Sequence, residues 1–296
     1  MKKFLYKIGI FLIPIVIIII ILRYYIHVEK SSAQHHKLPK NIETLILGHS
    51  QPETAINDSL LLNCKNFSQG GESYLFTYAK LRYLVEINSQ LKKVYLSFTN
   101  NQISPLMEDW TFGDRYIQSK YTTYFYALSS SEQYLLWRTS FKSLVQAEYT
   151  LMKSNTIHLI KNKGAIKTPL YWGGYLHLKR FKTDSLLKSN YLNTLKENQK
   201  LGISKTNLHY LDKIVRFCAQ KNIKLIFFRT PIHPKLFDIL NEKQFQRLRQ
   251  KKYASIPFVD AVHFPISNGA FGDLEHLNYK GAEKFTIHFK TLMQNQ

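Results

Sequence analysis

The sequence predicts an α/β domain with a mostly parallel sheet and helices on both faces, a three-layer sandwich, behind an N-terminal membrane-spanning helix. Short apolar runs alternate with longer segments of helical periodicity over residues 42–296, which is typical of strand–helix units in a parallel sheet. A nearly unbroken apolar run near the N-terminus predicts the helix. Active sites of such folds lie at the carboxyl ends of the strands, so polar residues that follow the apolar runs are the first candidates for a site.

The N-terminal run is long enough to cross a bilayer. Residues 8–22 are almost all Ile, Leu, Phe or Val, and residues 4–25 supply the ~20 residues that a spanning helix needs. Three lysines before the run favour a cytoplasmic N-terminus, whereas two basic residues after it oppose that orientation. A cleaved signal peptide is the alternative, because small residues follow at 31–33. We predict an uncleaved anchor over residues 1–25.

The rest of the chain is predicted to form a juxtamembrane linker over residues 26–41 and one extracytoplasmic domain, periplasmic or at the cell surface, over 42–296. Strands are predicted within residues 43–50, 64–67, 93–98, 223–228 and 256–260. Helices are predicted over residues 72–88, 208–218 and 235–253 and from about 278 onward. A helical insertion rich in Tyr and Ser is predicted over about 104–200.

Composition narrows the class of partner. The chain has 41 Lys and Arg against 20 Asp and Glu, a formal net charge of +21. Anionic lipid, an acidic envelope polymer, nucleic acid or a generally lysine-rich composition each account for this charge. It is scattered without an arginine-rich arm, and on an outward-facing domain we expect no nucleic acid partner. Cys64 and Cys218 fit no metal or disulfide pattern, so we expect no metal, no cofactor and two small buried side chains.

Ser50 is the first candidate for chemistry, because it follows the first predicted strand in the motif Gly48-His49-Ser50. A nucleophilic serine needs an exposed turn between strand and helix, with backbone N–H groups nearby for an oxyanion. Gly48 permits such a turn. The motif is not a Gly-x-Ser-x-Gly elbow, since Pro52 stands where the second glycine would be. A helix N-cap is the structural alternative for Ser50.

Asp273 and His276 are the second candidate, in a predicted loop before the last helix. Residues three apart on a turn project to the same side, so Asp273 can hold one tautomer of His276 while His276 accepts the proton of Ser50. The structural alternatives are a capping role for Asp273 and a surface position for His276. A parallel sheet brings the end of its first strand close to the last loop, and we therefore predict a Ser50–His276–Asp273 triad.

Taken together, these motifs resemble those of the SGNH/GDSL hydrolase superfamily. The matching features are Gly48-His49-Ser50 after strand one, Gly71 after strand two, Asn100-Asn101 after strand three, and Asp273-x-x-His276-Leu-Asn near the end. The resemblance implies that Ser50 attacks an acyl group while His276 serves as base and Asp273 orients it.

The resemblance also implies an oxyanion hole. Its donors would be the N–H of Ser50, the N–H of Gly71 (or Gly70) and the side chain of Asn100 (or Asn101). The sequence departs from the family pattern at two places. His49 stands where the family has Asp, and the third block reads Thr99-Asn100-Asn101-Gln102 rather than Gly-x-Asn-Asp.

The anchored layout is similar to that of envelope-modifying members of this superfamily, such as alginate acetylation proteins and the D-alanyl transfer protein of teichoic-acid operons. It implies a serine esterase or O-acyltransferase that acts on an acylated envelope glycan or related polymer. Its partners would be the bilayer and a membrane acyl-transfer protein. The alternative is a non-catalytic binding or assembly protein for an envelope polymer on the same fold.

Overall fold

A five-stranded parallel sheet forms the centre of the domain. The computed structural model describes residues 2–32, 36–162, 171–198, 200 and 202–294. The strands are β1 (Thr44–Leu47), β2 (Cys64–Asn66), β3 (Lys93–Ser97), β4 (Lys224–Arg229) and β5 (Phe258–Asp260). Their order is β2-β1-β3-β4-β5, and every neighbouring pair is parallel. The predicted α/β class and mostly parallel sheet are confirmed.

The helices surround this sheet and also extend beyond it. They are α1 (Lys2–Lys30), α2 (Ser50–Ala55), α3 (Tyr74–Ile87), α4 (Asn100–Ile103), α5 (Leu106–Phe112), α6 (Asp114–Tyr124), α7 (Ser130–Thr139), α8 (Phe141–Lys161), α9 (Thr183–Lys188), α10 (Tyr191–Glu197), α11 (Lys205–Gln220), α12 (Pro234–Phe237), α13 (Glu242–Lys252) and α14 (Tyr279–Gln294). Short 3-10 turns lie at Asp58–Leu60 and Asn268–Ala270. The segment predicted as an insertion, residues 104–200, contains α5 to α10, and its residues 163–170 and 199 lie outside the described ones.

Two apolar cores lie on opposite faces of the sheet. The larger core packs α3, α6, α8 and α11 against strand residues such as Leu45, Val94 and Phe227. The smaller core packs α14 against residues that point the other way, such as Ile46 and Ile226. This alternation follows from the period of two along a strand. The two layers of helices bury both faces, which is the three-layer arrangement.

The predicted helix over residues 235–253 is divided into α12 and α13. His233 caps the first, since its side chain accepts from the N–H of Lys235, and Asn241 caps the second by accepting from the N–H of Gln244. A second N-cap inside the segment starts a new helix axis. Together with α9 and α10, α12 contributes to a small third apolar cluster around Ile232, Val262 and Leu274.

Helix α1 continues to Lys30, five residues beyond the end predicted for the anchor. Within it, Ile10–Lys30 is long and apolar enough to cross a membrane, with a mean hydropathy of 2.4, as a membrane anchor or a signal sequence would be. Its last turns pack on the domain, where Ile26 is fully buried. Arg23 forms a two-pronged ion pair with Glu148 of α8 at 3.0 and 3.0 Å. The end of the apolar helix is thereby held against the insertion.

Candidate active site

Ser50 lies at the carboxyl end of β1, in the first turn of α2. The N-cap alternative for Ser50 is wrong, because His49 is the N-cap and accepts from the N–H of Gln51. Gly48 allows the turn after β1 to pack closely against Ser97 and Pro52, since a Cβ at position 48 would lie 2.5 Å from Cβ of Ser97 and 2.8 Å from Cγ of Pro52. The turn therefore needs glycine, and it presents the Ser50 hydroxyl at the strand end.

Asp273 and His276 lie in the loop before α14, and this loop places them against Ser50. His276 Nε2 lies 2.7 Å from Ser50 Oγ, and His276 Nδ1 lies 2.9 Å from Asp273 Oδ1. The same Asp273 oxygen accepts from the N–H groups of Glu275 and His276, each at 2.9 Å. These bonds fix the carboxylate before any substrate arrives. The three predicted residues thus form one continuous hydrogen-bonded chain.

The charges of this chain are set by burial and by mutual contact. Burial alone would raise the pKa of Asp273, but the hydrogen bond and charge of His276, with help from Arg180, lower it to about 2. For His276 the effects are reversed. Burial acts to lower its pKa, but the hydrogen bond and charge of Asp273 outweigh burial, so the pKa of His276 is raised. Asp273 is therefore ionised and favours the protonated form of His276, as a proton-accepting imidazole requires.

His49, which stands where the resemblance implies Asp, is buried and uncharged. Burial, with the nearby charge of His276, lowers its pKa to about 3. Its Nδ1 accepts from the N–H of Gln51, so its Nε2 carries the hydrogen and donates to Thr99 Oγ1 at 3.2 Å. Its ring also lies edge-on to Trp110. His49 thus connects the ends of β1 and β3 without adding charge to the site.

The two glycines proposed for the oxyanion hole differ in their surroundings. Gly70 lies next to Ser50, since a Cβ added to Gly70 would be 3.7 Å from Ser50 Cβ, but its N–H donates to Glu53 Oε2 at 2.9 Å. Gly71 has a φ of +66°, in the left-handed region that glycine tolerates, and it faces the ring of Tyr116. The N–H of Gly70 is committed to a carboxylate, which leaves Gly71 as the predicted donor.

The two asparagines also differ. Asn100 donates to Glu242 Oε2 at 3.1 Å and accepts from Arg229 at 3.2 Å, so both ends of its amide are held in an ion-pair cluster. The side chain of Asn101 instead lies near Glu275, the residue before His276, and acts to lower the pKa of that carboxyl group. Of the two alternatives, Asn101 is the one that reaches a neighbour of the triad.

Several residues of the site were not identified from the sequence. An extended strap, residues 171–182, crosses from the second strand to the last loop through backbone hydrogen bonds to Ser68, Glu53 and Gly272. From this strap Arg180 forms an ion pair with Asp273. The strap is part of the insertion, in which no chemical motif was recognised. Only the tertiary fold shows that it lies over the site.

A second group missed by sequence reasoning lies beneath the glycines. Lys80 and Glu72 form a fully buried ion pair at 2.8 Å. Lys120 of α6 donates to Gln69 Oε1 at 2.9 Å and to the carbonyl oxygen of Gly70 at 2.6 Å. Burial lowers the pKa of Lys120 to about 8. These contacts tie the insertion to the loop that follows β2 and fix the conformation of the glycines.

Beside the triad lies a cavity of about 310 Å³. Its wall includes Gln51, which follows Ser50, and Glu275, which precedes His276. Asn100 and Asn101 contribute to the same wall. Among the described residues no group of three or more His, Cys, Asp or Glu side chains is arranged to hold a metal ion.

Comparisons with known proteins find distant similarities. A protein-family model matches residues 181–296, which include β4, β5 and the Asp273–His276 loop. No curated protein matches the sequence. Among solved structures, a "putative acylhydrolase" from Bacteroides fragilis NCTC 9343 is similar at 13% identity, with 90% of this chain and 94% of that chain covered and a TM-score of 0.41. A GDSL-like lipase from Bacteroides thetaiotaomicron VPI-5482 is similar at 11% identity, with 93% and 97% covered and a TM-score of 0.39.

Proposed function

We propose that this protein is a membrane-anchored serine esterase or O-acyltransferase with Ser50 as its nucleophile. The observation that carries the proposal is the hydrogen-bonded chain from Ser50 Oγ through His276 to Asp273, at 2.7 and 2.9 Å. Both distances lie within the reach required between a nucleophile, its base and the group that orients the base. Ser50 meets His276, 226 residues away in sequence, at the carboxyl edge of a parallel sheet, where such folds place their sites.

The chemistry follows from the roles of the three groups. Ser50 Oγ forms a bond to the acyl carbon of an ester as its proton passes to His276 Nε2. The bond between the acyl carbon and the leaving oxygen then breaks, and the leaving alcohol takes that proton. In the second half His276 deprotonates either water or a sugar hydroxyl, which attacks the Ser50 ester and releases the acid or the new ester.

The negative charge on the acyl oxygen needs preorganised donors. The N–H of Ser50 is available because the first N–H groups of a helix have no partner within it. Gly71 and the amide of Asn101 complete the proposed set. Asn101 must exchange its contact with Glu275 for a hydrogen bond to the substrate.

The proposed substrate is an acylated cell-envelope glycan or a related polymer, and a membrane acyl-transfer protein is the proposed partner if the acceptor is a sugar. The support is the apolar helix α1, which would keep the site close to the membrane on its outer side. Protease added to intact spheroplasts should digest the domain. Digestion only after lysis would reverse the proposed orientation.

Labelling with a serine-reactive fluorophosphonate tests the catalytic role directly. The wild-type protein in detergent should be labelled at Ser50, and Ser50→Ala should not be labelled although it folds and purifies equally well. Labelling unchanged in Ser50→Ala would contradict the proposal. If Ser50→Ala also restores a deletion strain fully, the non-catalytic binding protein takes its place.

A further inference from the structure

The cavity beside the triad is built mainly from apolar side chains of the insertion and of the segment that contains α12, residues 232–240. Nine of its seventeen lining residues are Leu, Ile, Val, Met or Trp. The insertion supplies Leu106, Met107 and Trp110 from one side and Leu195 from another. Its volume of about 310 Å³ is at the lower end of the ~300–1,000 Å³ usual for small-ligand sites. An acetyl group, with one methyl beyond its carbonyl carbon, would leave most of this space empty.

The polar residues of the cavity wall disfavour a charged occupant. Arg229 is almost fully buried, and its five N–H groups are used by Asp260, Glu242 and Asn100 at distances from 2.5 to 3.2 Å. It therefore has no donor left for a carboxylate on a ligand, and the other described residues of the wall include no Lys, Arg or His. Thr230 offers only a neutral hydroxyl, and no hydrogen-bond partner for it is found among the described residues.

We propose that this cavity is the acyl subsite of the Ser50 centre and that it takes a neutral acyl chain several carbons longer than acetyl. The inference rests on the proposed esterase or transferase function. Gln51 and Glu275 line the cavity and are the chain neighbours of the nucleophile and of the base, so the cavity lies close enough for a chain on the acyl carbon to extend into it. In this arrangement the insertion, residues 104–200, determines the length of acyl chain that the site accepts.

A series of p-nitrophenyl esters from acetate to octanoate tests the proposal on the full-length protein in detergent. Each methylene that enters an apolar site should raise kcat/KM by ~4-fold, from the transfer free energy of a buried methylene. The neutral hexanoate should exceed the monoester of adipate, a chain of the same length with a terminal carboxylate, by more than tenfold. A profile that is flat or falls from acetate upward, with Ser50 still labelled by fluorophosphonate, overturns the subsite. Absence of both labelling and turnover overturns the proposed function instead.

Two variants fill the cavity from the insertion side. Leu195→Trp and Leu106→Trp change residues that are partly exposed, and we expect both to fold. Each should lower kcat/KM for octanoate at least tenfold while acetate changes less than twofold. The control is Leu62→Trp, at a side chain that is 79% exposed and not part of the cavity wall. Equal losses for acetate and octanoate in both filling variants would show that the cavity does not hold the chain.

A separate observation concerns the surface of α7 and α8. Several large apolar or aromatic side chains are exposed there: Tyr134, Phe141, Val145, Tyr149, Ile157 and Ile160. The α8 residues among them lie on the side of the helix opposite its buried residues Leu144, Ala147 and Leu151. Lys142 and Lys153 are exposed on the same helix. An apolar and aromatic face with lysines is typical of a helix that lies in a membrane interface.

The contact between α1 and α8 sets the depth of this face. Arg23 is the first charged residue after the apolar stretch of α1, so it marks the level at which the span leaves the hydrocarbon region. Its ion pair with Glu148 holds α8 at that level, and the 4.3 Å contact of its guanidinium with the ring of Phe125 holds the end of α6 there. Val145 and Tyr149 flank Glu148 and are exposed.

We infer that the face of α8 defined by Phe141, Val145, Tyr149, Ile157 and Ile160 rests on the bilayer surface and fixes the orientation of the domain. The lipids in contact with this face have anionic headgroups, in keeping with the lysines on the same helix. This inference rests on the anchor role proposed for α1 and is independent of catalysis by Ser50.

Single cysteines carrying an environment-sensitive fluorophore test the contact in the full-length protein in nanodiscs of phosphatidylcholine and phosphatidylglycerol. The native Cys64 and Cys218 are buried and do not compete. Val145→Cys and Tyr149→Cys should be quenched by doxyl lipids and protected from iodide. Ile287→Cys is the control, since Ile287 is 61% exposed on α14, which packs on the other face of the sheet. Iodide quenching equal at Val145→Cys and Ile287→Cys would overturn the inference, whereas failure to incorporate into nanodiscs would overturn the anchor.

Discussion

The two halves of the candidate site differ in how ready they are for chemistry. On the proton-transfer side, Ser50, His276 and Asp273 already make the contacts that the proposed catalysis needs. On the oxyanion side, carboxylates hold the N–H of Gly70 and the amide of Asn100. The first half is complete without a substrate, whereas two of the five donors considered for the second half are held by the carboxylates of Glu53 and Glu242.

The difference shows where carboxylates act as structural acceptors. Glu53 accepts hydrogen bonds from the N–H of Gly70 and the hydroxyl of Tyr171, so it connects the loop after β2 to the strap. Glu242 accepts hydrogen bonds from the side chains of Asn100 and Arg229, so it connects the end of β3 to α13. These bonds give rigidity to the loops around Ser50. They also leave Ser50, Gly71 and Asn101 as the proposed oxyanion donors.

The largest effect is expected from the proton-transfer half. Ser50→Ala and His276→Ala should each lower kcat by ~10⁴-fold or more, because the nucleophile and base act as a unit. Asp273→Asn should cost ~10⁴-fold, since an amide favours the wrong tautomer of His276. Single-turnover release of p-nitrophenol measures all three. The double variant of Ser50 and His276 should be no worse than the worse single one, and additive losses would contradict a shared mechanism.

The second prediction separates the two asparagines. Asn101→Ala should lower kcat by ~10²–10³-fold with little change in stability, as expected for loss of an oxyanion donor. Asn100→Ala should reduce kcat far less and instead lower the free energy of unfolding by about 1–3 kcal/mol, because it leaves Arg229 and Glu242 short of a partner. Chemical denaturation and ester hydrolysis measured on the same preparations distinguish the effects. The reverse assignment would make Asn100 the donor and require Glu242 to release it.

The third prediction concerns pH. His276 must be neutral to accept the proton of Ser50, and its pKa is raised, so kcat/KM should fall as the pH drops through a midpoint above 6.5. The charge of Arg180 acts to lower that pKa, and Arg180→Gln should therefore shift the acid limb to higher pH. Arg247→Gln, at an exposed position on α13, is the control and should leave the profile unchanged. A shift to lower pH in Arg180→Gln would show that its contact with Asp273 acts by geometry alone.

The sequence predicted the parallel sheet, its five strands and the three triad residues, because apolar runs and strand-end motifs are local signals. Glu53, Arg180 and the strap were not predictable in this way. Arg180 reaches Asp273 only because backbone bonds hold the strap across the site, and no local pattern records such contacts. The choice between Asn100 and Asn101 likewise depends on where Arg229 and Glu242 lie, which is a property of the folded chain.

The smallest effect is expected at His49, which belongs to neither half. Its pKa of about 3 makes it neutral at pH 7, and its contacts are a helix cap and a bond to Thr99. His49→Asn keeps a capping acceptor, so unfolding free energy should fall by about 1 kcal/mol and kcat/KM should change less than tenfold. His49→Asp introduces a charge beside His276, and opposite charges favour the protonated imidazole, so the acid limb should shift to higher pH. Thermal unfolding and pH profiles of both variants check this, and a loss of activity in His49→Asn as large as in Ser50→Ala would make the ring of His49 part of the catalytic machinery.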